Sequence, residues 1–275
     1  MKKELTVIVV TYQTNKKILY RCLNSVDKSL RIIIIENSKN FKNKDYFLKK
    51  FKNLKIICSG SNLGYGVGNN LGLNKVQTKY ALILNPDSIC TKNFFINLKK
   101  YLTKIKEFHL IGCSYTKNKN SYPAGYFDIT KNKNFENRFK QKKLSHITKV
   151  DWIRGFSMIL NLRKFRKKEI FDKNYFLYLE EIDLCKSIKK KSGNIYFIKD
   201  LKIDHLGFKG SVGASSHEKM NAENLRNWHY MWSSFYFYKK NYSYFFAVKK
   251  MVGKFLRSII KLIFYSLIFK IKKRD

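Results

Sequence analysis

The first hundred residues alternate between short apolar runs and amphipathic segments. Four runs rich in Ile, Val and Leu predict strands buried on both faces, at Leu5–Thr11, Arg31–Glu36, Leu54–Cys58 and Tyr80–Leu84. Apolar residues at helical spacing predict three helices: one capped by Asn15, a short one near Tyr46–Phe51, and one capped by Thr91. Strands that alternate with helices indicate an α/β fold with a mostly parallel sheet.

The second half of the chain has a less regular pattern. From Tyr115 to about Lys149, Lys and Asn with scattered aromatics predict a variable loop region or a weakly structured insertion. Val150–Leu160 predicts a strand with Gly155 at its centre, and the acidic stretch after Tyr178 opens a helix that ends near Gly193. Two strand-like runs follow, at Ile195–Ile198 and Leu201–His205, and the chain is helical from about His217.

The composition is strongly basic, with 57 Lys+Arg against 19 Asp+Glu and a formal net charge of +38. Such a charge favours an acidic partner, either nucleic acid, anionic lipid or a phosphorylated substrate. Drift towards A/T-rich codons is an equal alternative, because Lys, Asn, Ile, Phe and Tyr are all abundant and the lysines are spread along the chain.

Cysteine usage and apolar run lengths indicate the compartment. The five cysteines are scattered without metal or redox spacing, so a reducing, cytoplasmic environment is expected. The N-terminal apolar run is too short for a signal peptide and is better interpreted as a first strand. No run reaches the roughly 18–20 apolar residues that span a bilayer.

The fourth predicted strand ends in Asn85-Pro86-Asp87-Ser88. Ligands of open parallel sheets bind beyond the carboxyl ends of the strands, where Asp87 would stand on a rigid turn. One carboxylate together with a substrate diphosphate is a common way to hold Mg²⁺. An ordinary turn is the competing interpretation, since these are common turn residues.

Three further features have two interpretations each. The glycine-rich stretch from Asn62 to Gly72 allows backbone amides close to a phosphate or ribose, or else forms a turn and a helix with a small-residue packing face. It matches neither a dinucleotide-binding motif nor a Walker loop. Thr11-Tyr12 and Glu36-Asn37 end the first two strands, where such sheets bind nucleotides, although Glu36 could simply be solvated.

The acidic stretch YLEEIDLC gathers Glu180, Glu181 and Asp183 in a chain short of acid. Acids in the first turn of a helix complement its dipole. A carboxylate beside the aromatic run FDKNYFLY can instead act as a general base towards an acceptor hydroxyl. His205 follows a strand and is either a metal ligand or a structural histidine.

The C-terminal segment from Phe245 to Ile271 has apolar residues at helical spacing, with Lys250, Lys254, Arg257 and Lys261 together on another side. A basic amphipathic helix fits a membrane interface with anionic lipid. Packing on the domain or a dimer interface is the alternative.

In order along the chain, these motifs resemble the family 2 glycosyltransferases, and among them the rhamnosyltransferase-like bacterial enzymes. The resemblance rests on VIVVTYQT, IIIIENS, NLGYGVGNN, LILNPDS, FLYLEEIDLCKSIKKKSG, IDHLGFKGS and NWHYMWSSFYFYKK. It covers most of the chain except the Tyr115–Lys149 region. It implies a GT-A fold, in which a Rossmann-like nucleotide-binding half is fused to an acceptor-binding half.

The resemblance also implies roles for individual residues. Thr11, Tyr12, Glu36, Asn62, Gly64, Asn85 and Asp87 would line the nucleotide-sugar site, with Glu36 standing where the family usually has Asp. Asp87 and His205 would bind Mg²⁺ or Mn²⁺. Glu181 would be the catalytic base in place of the family's Asp, with Glu180 and Asp183 as alternates. Trp152 and Gly155 would lie on the acceptor side.

The function implied is inverting transfer of a sugar, rhamnose in the subgroup, from a dTDP- or UDP-sugar to a glycan or lipid-linked glycan in cell-surface polysaccharide synthesis. The expected domains are 1–216 (nucleotide-sugar half 1–112, acceptor half 113–216) and a helical region, 217–275, peripheral on the inner face of the cytoplasmic membrane. The alternatives are a nucleic-acid-binding protein, for which no recognition motif interleaves the lysines, and a sugar nucleotidyltransferase, which expects a glycine- and arginine-rich loop after the first strand. Nucleic acid is therefore not an expected partner.

Overall fold

The computed structural model describes residues 1–117, 120–122, 125–126, 145–205 and 216–272. The chain forms two compact units. The first comprises the described residues of 1–174 and 180–212, and the second those of 175–179 and 213–275. Residues 206–215 and most of the region expected to be a variable insertion lie outside the described residues.

A mixed sheet forms the centre of the first unit. Among the described residues it contains ten strands in the order β3-β2-β1-β4-β11-β6-β12-β5, with β7 on β6 and β9 on β12. Two further strands, β8 and β10, pair separately. The strands are β1 Leu5–Thr11, β2 Arg31–Glu36, β3 Leu54–Cys58, β4 Tyr80–Leu84, β5 Ser88–Cys90, β6 Leu110–Lys117, β7 Asn120–Tyr122, β8 Gly125–Tyr126, β9 Ile147–Lys149, β10 Trp152–Ile153, β11 Ser157–Asn161 and β12 Ile195–His205.

Helices cover both faces of this sheet. In the first unit they are α1 Lys16–Asn24, α2 Lys44–Lys50, α3 Gly64–Asn74, α4 Phe94–Lys104 and α5 Glu180–Lys190. Alternate residues of β1 enter different cores, because successive strand side chains point to opposite faces. Val7 and Val9 join the core formed with α1, α2 and α4, whereas Ile8 joins the core formed with α3 and α5.

The strand pattern of the N-terminal half confirms the sequence predictions. β1 to β4 have the predicted bounds, pair in parallel, and Asn15 caps α1 through its side-chain oxygen. The expectation of a mostly parallel sheet holds only for this half. Beyond β4 the sheet is mixed, because β11 runs antiparallel to both of its neighbours.

Two strand predictions in the second half were wrong. Val150–Leu160 is interrupted between β10 and β11, where the Gly155 carbonyl accepts a hydrogen bond from the Tyr65 hydroxyl of a helix. The two runs between Ile195 and His205 form one strand, β12, which stays paired with β6 through a register shift. The ends of the expected variable region are also strands, since β6 reaches Lys117 and β9 begins at Ile147.

Two predicted helix boundary residues were also wrong. The helix expected to be capped by Thr91 begins at Phe94, because the Thr91 hydroxyl donates to the Lys202 carbonyl. After α5 it is Ser192, with φ 56°, that takes the left-handed conformation. Gly193 is needed for close packing, since a Cβ there would lie 2.5 Å from Ile188 Cγ2.

Helix α3 forms from the glycine-rich stretch and uses its glycines to approach the sheet. A Cβ on Gly72 would lie 2.6 Å from Ile8 Cγ2, and one on Gly68 would lie 2.9 Å from Val10 Cγ1. The packing interpretation therefore holds for Gly68 and Gly72, and contact of the stretch with a phosphate or ribose stays a prediction. Only at Gly64, with φ 78°, does the backbone itself favour glycine.

Gly72→Ala is expected to lower the free energy of unfolding of the first unit by about 1–2 kcal/mol, because overpacking against Ile8 outweighs the gain in helix propensity. Thermal or urea unfolding measures the change. Gly253→Ala is the matched control, since no atom lies within 4 Å of its added methyl group. Equal stability of Gly72→Ala and the native protein would contradict the close packing of α3 on β1.

The second unit is built on two long helices, α6 Ser216–Asn241 and α7 Tyr244–Lys272. They run antiparallel, since Phe246 packs on Tyr238 near the connection and Ser258, farther along α7, contacts Met231, which is earlier in α6. The segment 175–179 packs on α6, where the Tyr175 ring lies 4.9 Å from that of Tyr236. Across the described residues, no helix has the length and apolar character that crossing a bilayer requires.

Candidate active site

One edge of the sheet gathers most of the residues singled out in the sequence. The parallel strands β1, β2 and β4 end there, and the turn Asn85–Asp87 follows β4. β11 starts at the same edge, because Ser157 pairs with Leu84 and the Asn85 amide donates to the Phe156 carbonyl. β12 ends there, with His205 opposite Ser88.

Glu36 holds the ends of β1 and β2 together. Its Oε2 accepts a hydrogen bond from Thr11 Oγ1 at 2.5 Å. Its Oε1 accepts from the Gln13 amide at 3.1 Å and from Ser38 Oγ at 2.8 Å. The side chain is only 1% exposed, so the solvated interpretation is wrong. Gln13 takes φ 48°, and the bond from its amide to Glu36 helps to stabilise that turn.

A cleft of about 470 Å³ opens beside this carboxylate. Its wall comprises Gln13, Thr14, Glu36, Ser38 and the loop 39–43 with Lys39, Phe41 and Lys42. Thr14 Oγ1 is buried and has no hydrogen-bond partner among the described residues. Thr11 is buried behind the wall and Tyr12 is exposed, and their contact with a nucleotide stays a prediction.

Glu36→Gln is expected to destabilise the protein by about 1–3 kcal/mol, because the three donors around Glu36 would meet an amide with only one acceptor oxygen. Thermal unfolding measures the loss. The control is Glu4→Gln, at an exposed glutamate. A Glu36→Gln protein as stable as the control would show that these three hydrogen bonds contribute little.

Asn62 and Gly64 shape the start of α3. Asn62 Oδ1 accepts a hydrogen bond from the Gly64 amide at 3.1 Å, and Gly64 O accepts from Asn37 Nδ2 at 2.8 Å. Asn37 also joins β1 through its amide, which donates to the Thr11 carbonyl at 2.7 Å. The Oδ1 atom of Asn37 is buried, and none of the residues that the structure describes donates a hydrogen bond to it. These contacts tie the glycine-rich stretch to the edge beside the cleft.

Asp87 and His205 form a pair across β5 and β12. Asp87 Oδ1 lies 3.4 Å from His205 Nε2, and Asp87 is 5% exposed. The imidazole stacks on Phe156 with ring centroids 4.8 Å apart. His205 is therefore oriented by aromatic packing, with Nε2 directed at the carboxylate.

This pair fits a divalent cation. Two ligands about 2.1 Å from an octahedral ion lie about 3 Å apart, close to the observed separation of Oδ1 and Nε2. Carboxylate oxygen and imidazole nitrogen suit Mn²⁺. Within the described part of the chain no three His, Cys, Asp or Glu side chains gather as a metal site.

The acids of α5 occupy three different environments. Glu180 is 4% exposed and lies against Gly66 of α3, and its Oε2 has no hydrogen-bond partner in the described part of the chain. Asp183 is equally buried. Glu181 is half-buried beside Gly155, whose amide donates to the Glu181 carboxylate. Of the three acids, Glu181 is therefore the most exposed.

Burial raises the pKa of both glutamates. For Glu180 the nearby charge of Glu181 raises the pKa further. For Glu181 the amides of Glu181 and Gly155 and the Arg154 guanidinium oppose the rise, but the pKa stays above its ordinary value. A raised pKa brings a carboxylate closer to the range in which a general base works best.

Two residues near Glu181 were missed in the sequence. The Tyr65 hydroxyl donates to the Gly155 carbonyl, and burial followed by the charges of Glu181 and Glu180 raises the pKa of Tyr65. Arg154 donates from Nη1 to the Tyr115 hydroxyl at 3.3 Å and lies over the Tyr115 ring. The position of Arg154 directly before Gly155, which was predicted to lie on the acceptor side, was the signal that could have identified Arg154. Trp152 lies in β10, and the acceptor-side roles of Trp152 and Gly155 stay predictions.

The sequence is similar to known glycosyltransferases. The family described as "Glycosyl transferase family 2" matches residues 6–167, more than half of the chain. Rhamnosyltransferase WbbL of Escherichia coli K12 is 26% identical over 209 residues, which cover 66% of this chain and 75% of WbbL. Low-salt glycan biosynthesis hexosyltransferase Agl10 of Haloferax volcanii is 23% identical over 205 residues, covering 71% of this chain and 64% of Agl10.

Solved structures share the fold at low sequence identity. GalNAc-T7, crystallised with UDP, GalNAc and Mn²⁺, superposes with a TM-score of 0.59 at 14% identity, over 86% of this chain and 51% of its own. Mannosyltransferase PcManGT of Pyrobaculum calidifontis, in complex with GDP-Man and Mn²⁺, superposes with a TM-score of 0.55 at 12% identity. The match covers 84% of this chain and 63% of PcManGT. The fold is therefore that of the GT-A glycosyltransferases, as the sequence predicts.

Proposed function

Because the chain belongs to glycosyl transferase family 2, we propose that it moves a sugar from a nucleoside-diphosphate donor to a hydroxyl of a glycan or lipid-linked glycan, with inversion at the anomeric carbon. One observation carries this proposal. Two adjacent residues, Gly155 and Phe156, connect Glu181 with the Asp87–His205 pair. The Gly155 amide donates to Glu181, and the Phe156 ring stacks on His205 beside Asp87. The groups for activating an acceptor and for binding a diphosphate are therefore neighbours.

The donor nucleoside would enter the cleft beside Glu36. Gln13, Thr14 and Ser38 present polar groups there, Phe41 presents an aromatic ring, and Lys39 and Lys42 add positive charge. Glu36 holds the wall in place through three protein donors. The diphosphate would then extend towards Asn85–Asp87 along the edge of the sheet.

Asp87 and His205 would hold Mg²⁺ or Mn²⁺ together with the diphosphate. When bound, the ion neutralises charge on the leaving nucleoside diphosphate. The buried Asp87 carboxylate supplies the negative charge, and packing on Phe156 fixes the imidazole of His205. Both solved relatives named above were crystallised with Mn²⁺, which supports this assignment.

Glu181 would take the proton from the acceptor hydroxyl. The acceptor oxygen then forms a bond to the anomeric carbon while the bond to the nucleoside diphosphate breaks on the opposite face. One base is enough for this single displacement, unlike the two carboxylates of a glycosidase. The Gly155 amide and Arg154 favour the charged form of the Glu181 carboxylate, because both oppose the rise in its pKa that burial causes.

We propose a dTDP- or UDP-sugar as the donor. UDP is bound in the GalNAc-T7 structure, and the name of the Escherichia coli relative makes rhamnose the first sugar to test. A role in cell-surface polysaccharide synthesis is consistent with the glycan biosynthesis named for the Haloferax volcanii relative.

The test is release of nucleoside diphosphate by the purified protein. A panel of dTDP-, UDP- and GDP-sugars is incubated with Mn²⁺ and with lipid-linked glycan acceptors, and the product's anomeric configuration is read by NMR. We expect acceptor-dependent release with one donor class and an inverted linkage. Release with no donor, or a retained configuration, would overturn the proposal.

A further inference from the structure

Helix α7 carries three distinct faces. Successive residues turn by about 100° around a helix, so residues at i, i+4 and i+11 share one side. Ala247, Met251 and Ser258 have this spacing; the first two are buried, and Ser258 contacts Met231 of α6. This narrow side is the one towards α6, and it is not the wide apolar side of the helix.

The wide apolar side of α7 is exposed. Phe245 is 84% exposed and Ile260 is 64% exposed. By helical spacing, these residues lie on one side with further exposed apolar residues, namely Val248, Val252, Phe255, Leu256 and Ile259. Packing of α7 on α6 therefore leaves uncovered the face that the amphipathic sequence pattern predicts.

Helix α6 adds a tryptophan stripe. Leu225, Trp228 and Trp232 lie at i, i+3 and i+7, and all three are more than half exposed. The stripe borders the side of α6 that contacts α7 through Met231 and Phe235. Because the helices run antiparallel, the stripe and the wide apolar side of α7 face the same side of the pair. We call this combined surface the apolar face.

The charge around the apolar face has one sign. From Asn224 to Arg274 the sequence contains no Asp or Glu, whereas Lys and Arg recur throughout. Lys250, Lys254 and Arg257 form the third face of α7. Two copies of such a surface would repel each other, but anionic lipid would attract both its cations and its apolar groups.

We propose that the apolar face docks on an anionic bilayer surface, with Trp228 and Trp232 at the headgroup level and the side chains of α7 in the outer part of the acyl region. The inference rests on the second unit alone and does not depend on the proposed transferase activity. It names two helices as the contact, beyond the single C-terminal helix that the sequence indicates. It also selects lipid over a subunit interface.

Sedimentation with extruded vesicles tests the proposal on the full-length protein. Vesicles are made of phosphatidylcholine alone or of phosphatidylcholine and phosphatidylglycerol in equal parts. The partition coefficient is expected to be at least about 10-fold higher on the anionic vesicles. Replacing Val252, Phe255 and Ile259 together by Ser should lower it by at least about 100-fold, and Trp228→Ser with Trp232→Ser by about 10-fold.

The control is Ile96→Ser, which removes a 70% exposed apolar side chain from α4 in the first unit. It should change partitioning by less than about 2-fold. In a Trp152→Phe background, the two remaining tryptophans should shift to shorter emission wavelength on anionic vesicles and be quenched by brominated lipid. The chain has three tryptophans, so removal of Trp152 leaves only Trp228 and Trp232, both in α6.

Three outcomes would overturn the proposal. They are no native binding to either vesicle, equal binding by the Val252, Phe255 and Ile259 variant, or a lipid-free dimer that this variant converts to monomer in sedimentation velocity. The last would identify the apolar face as a subunit interface. No substrate is present in these measurements, so none of these outcomes bears on sugar transfer.

Discussion

Asp87→Asn is expected to lower donor-dependent transfer by at least about 1,000-fold, because it removes the buried carboxylate that would hold the cation against the diphosphate. Asparagine keeps the shape of the side chain and removes its negative charge. Affinity for Mn²⁺ in the presence of nucleoside diphosphate should fall by at least about 10-fold, measured by calorimetry without an acceptor. This readout separates loss of the cation from loss of chemistry.

His205→Ala should have a smaller effect, about 10- to 100-fold, since one ligand of the pair remains. Asp45→Asn, at an exposed position in α2, is the matched control and should keep native activity. If Asp87→Asn transferred sugar within about 10-fold of the native rate while folded, Asp87 would not be the acid that binds the cation.

Glu181→Gln is expected to reduce kcat by about 100- to 10,000-fold and to leave the KM for the donor unchanged, because only proton removal from the acceptor is lost. The pH profile supplies a second readout. Burial raises the pKa of Glu181, so the charged fraction falls as the pH decreases through a value above the ordinary glutamate range. The acid limb of kcat should therefore lie above that range in the native enzyme.

Arg154→Ala should move this acid limb to higher pH, since the guanidinium opposes the rise in the pKa of Glu181. The transfer activity of Glu181→Gln is compared with that of variants at the other two acids of α5, Glu180→Gln and Asp183→Asn. If Glu180→Gln or Asp183→Asn abolished transfer while Glu181→Gln retained it, the base would be one of the two buried neighbours. Both are 4% exposed, so an acceptor would then have to open the site to reach them.

Most of the N-terminal half could be predicted from the sequence because its signals are local. The β-branched runs of β1 to β4 bury both faces, and Asn15 caps α1 through a bond two residues away. The order of the motifs was enough to predict a glycosyltransferase fold. The wrong strand predictions lie beyond β4. There the sheet includes antiparallel strands, and the apolar and polar periodicity of the sequence does not reveal where a strand breaks.

The break at Gly155 shows why. Val150–Leu160 contains Asp151, Arg154 and Gly155, but its pattern does not show where strand pairing stops. The Gly155 carbonyl accepts a hydrogen bond from Tyr65, which is far away in the chain, whereas the Phe156 carbonyl already continues the pairing of β11 with β4 through the Asn85 amide. At the same break the Gly155 amide donates to the Glu181 carboxylate. Because the sequence did not predict the break, it did not predict this contact of the candidate site either.

The sequence by itself determined the element types, the turn that carries Asp87 and the acidic start of α5, because each depends on neighbours within a few residues. Only the tertiary structure decided how the acids are used. It placed Glu36 under three protein donors, buried Glu180 and Asp183, left Glu181 accessible, and brought His205 to Asp87. The physical reason is that burial and pairing of a carboxylate depend on the register and packing of distant strands, which periodicity does not encode.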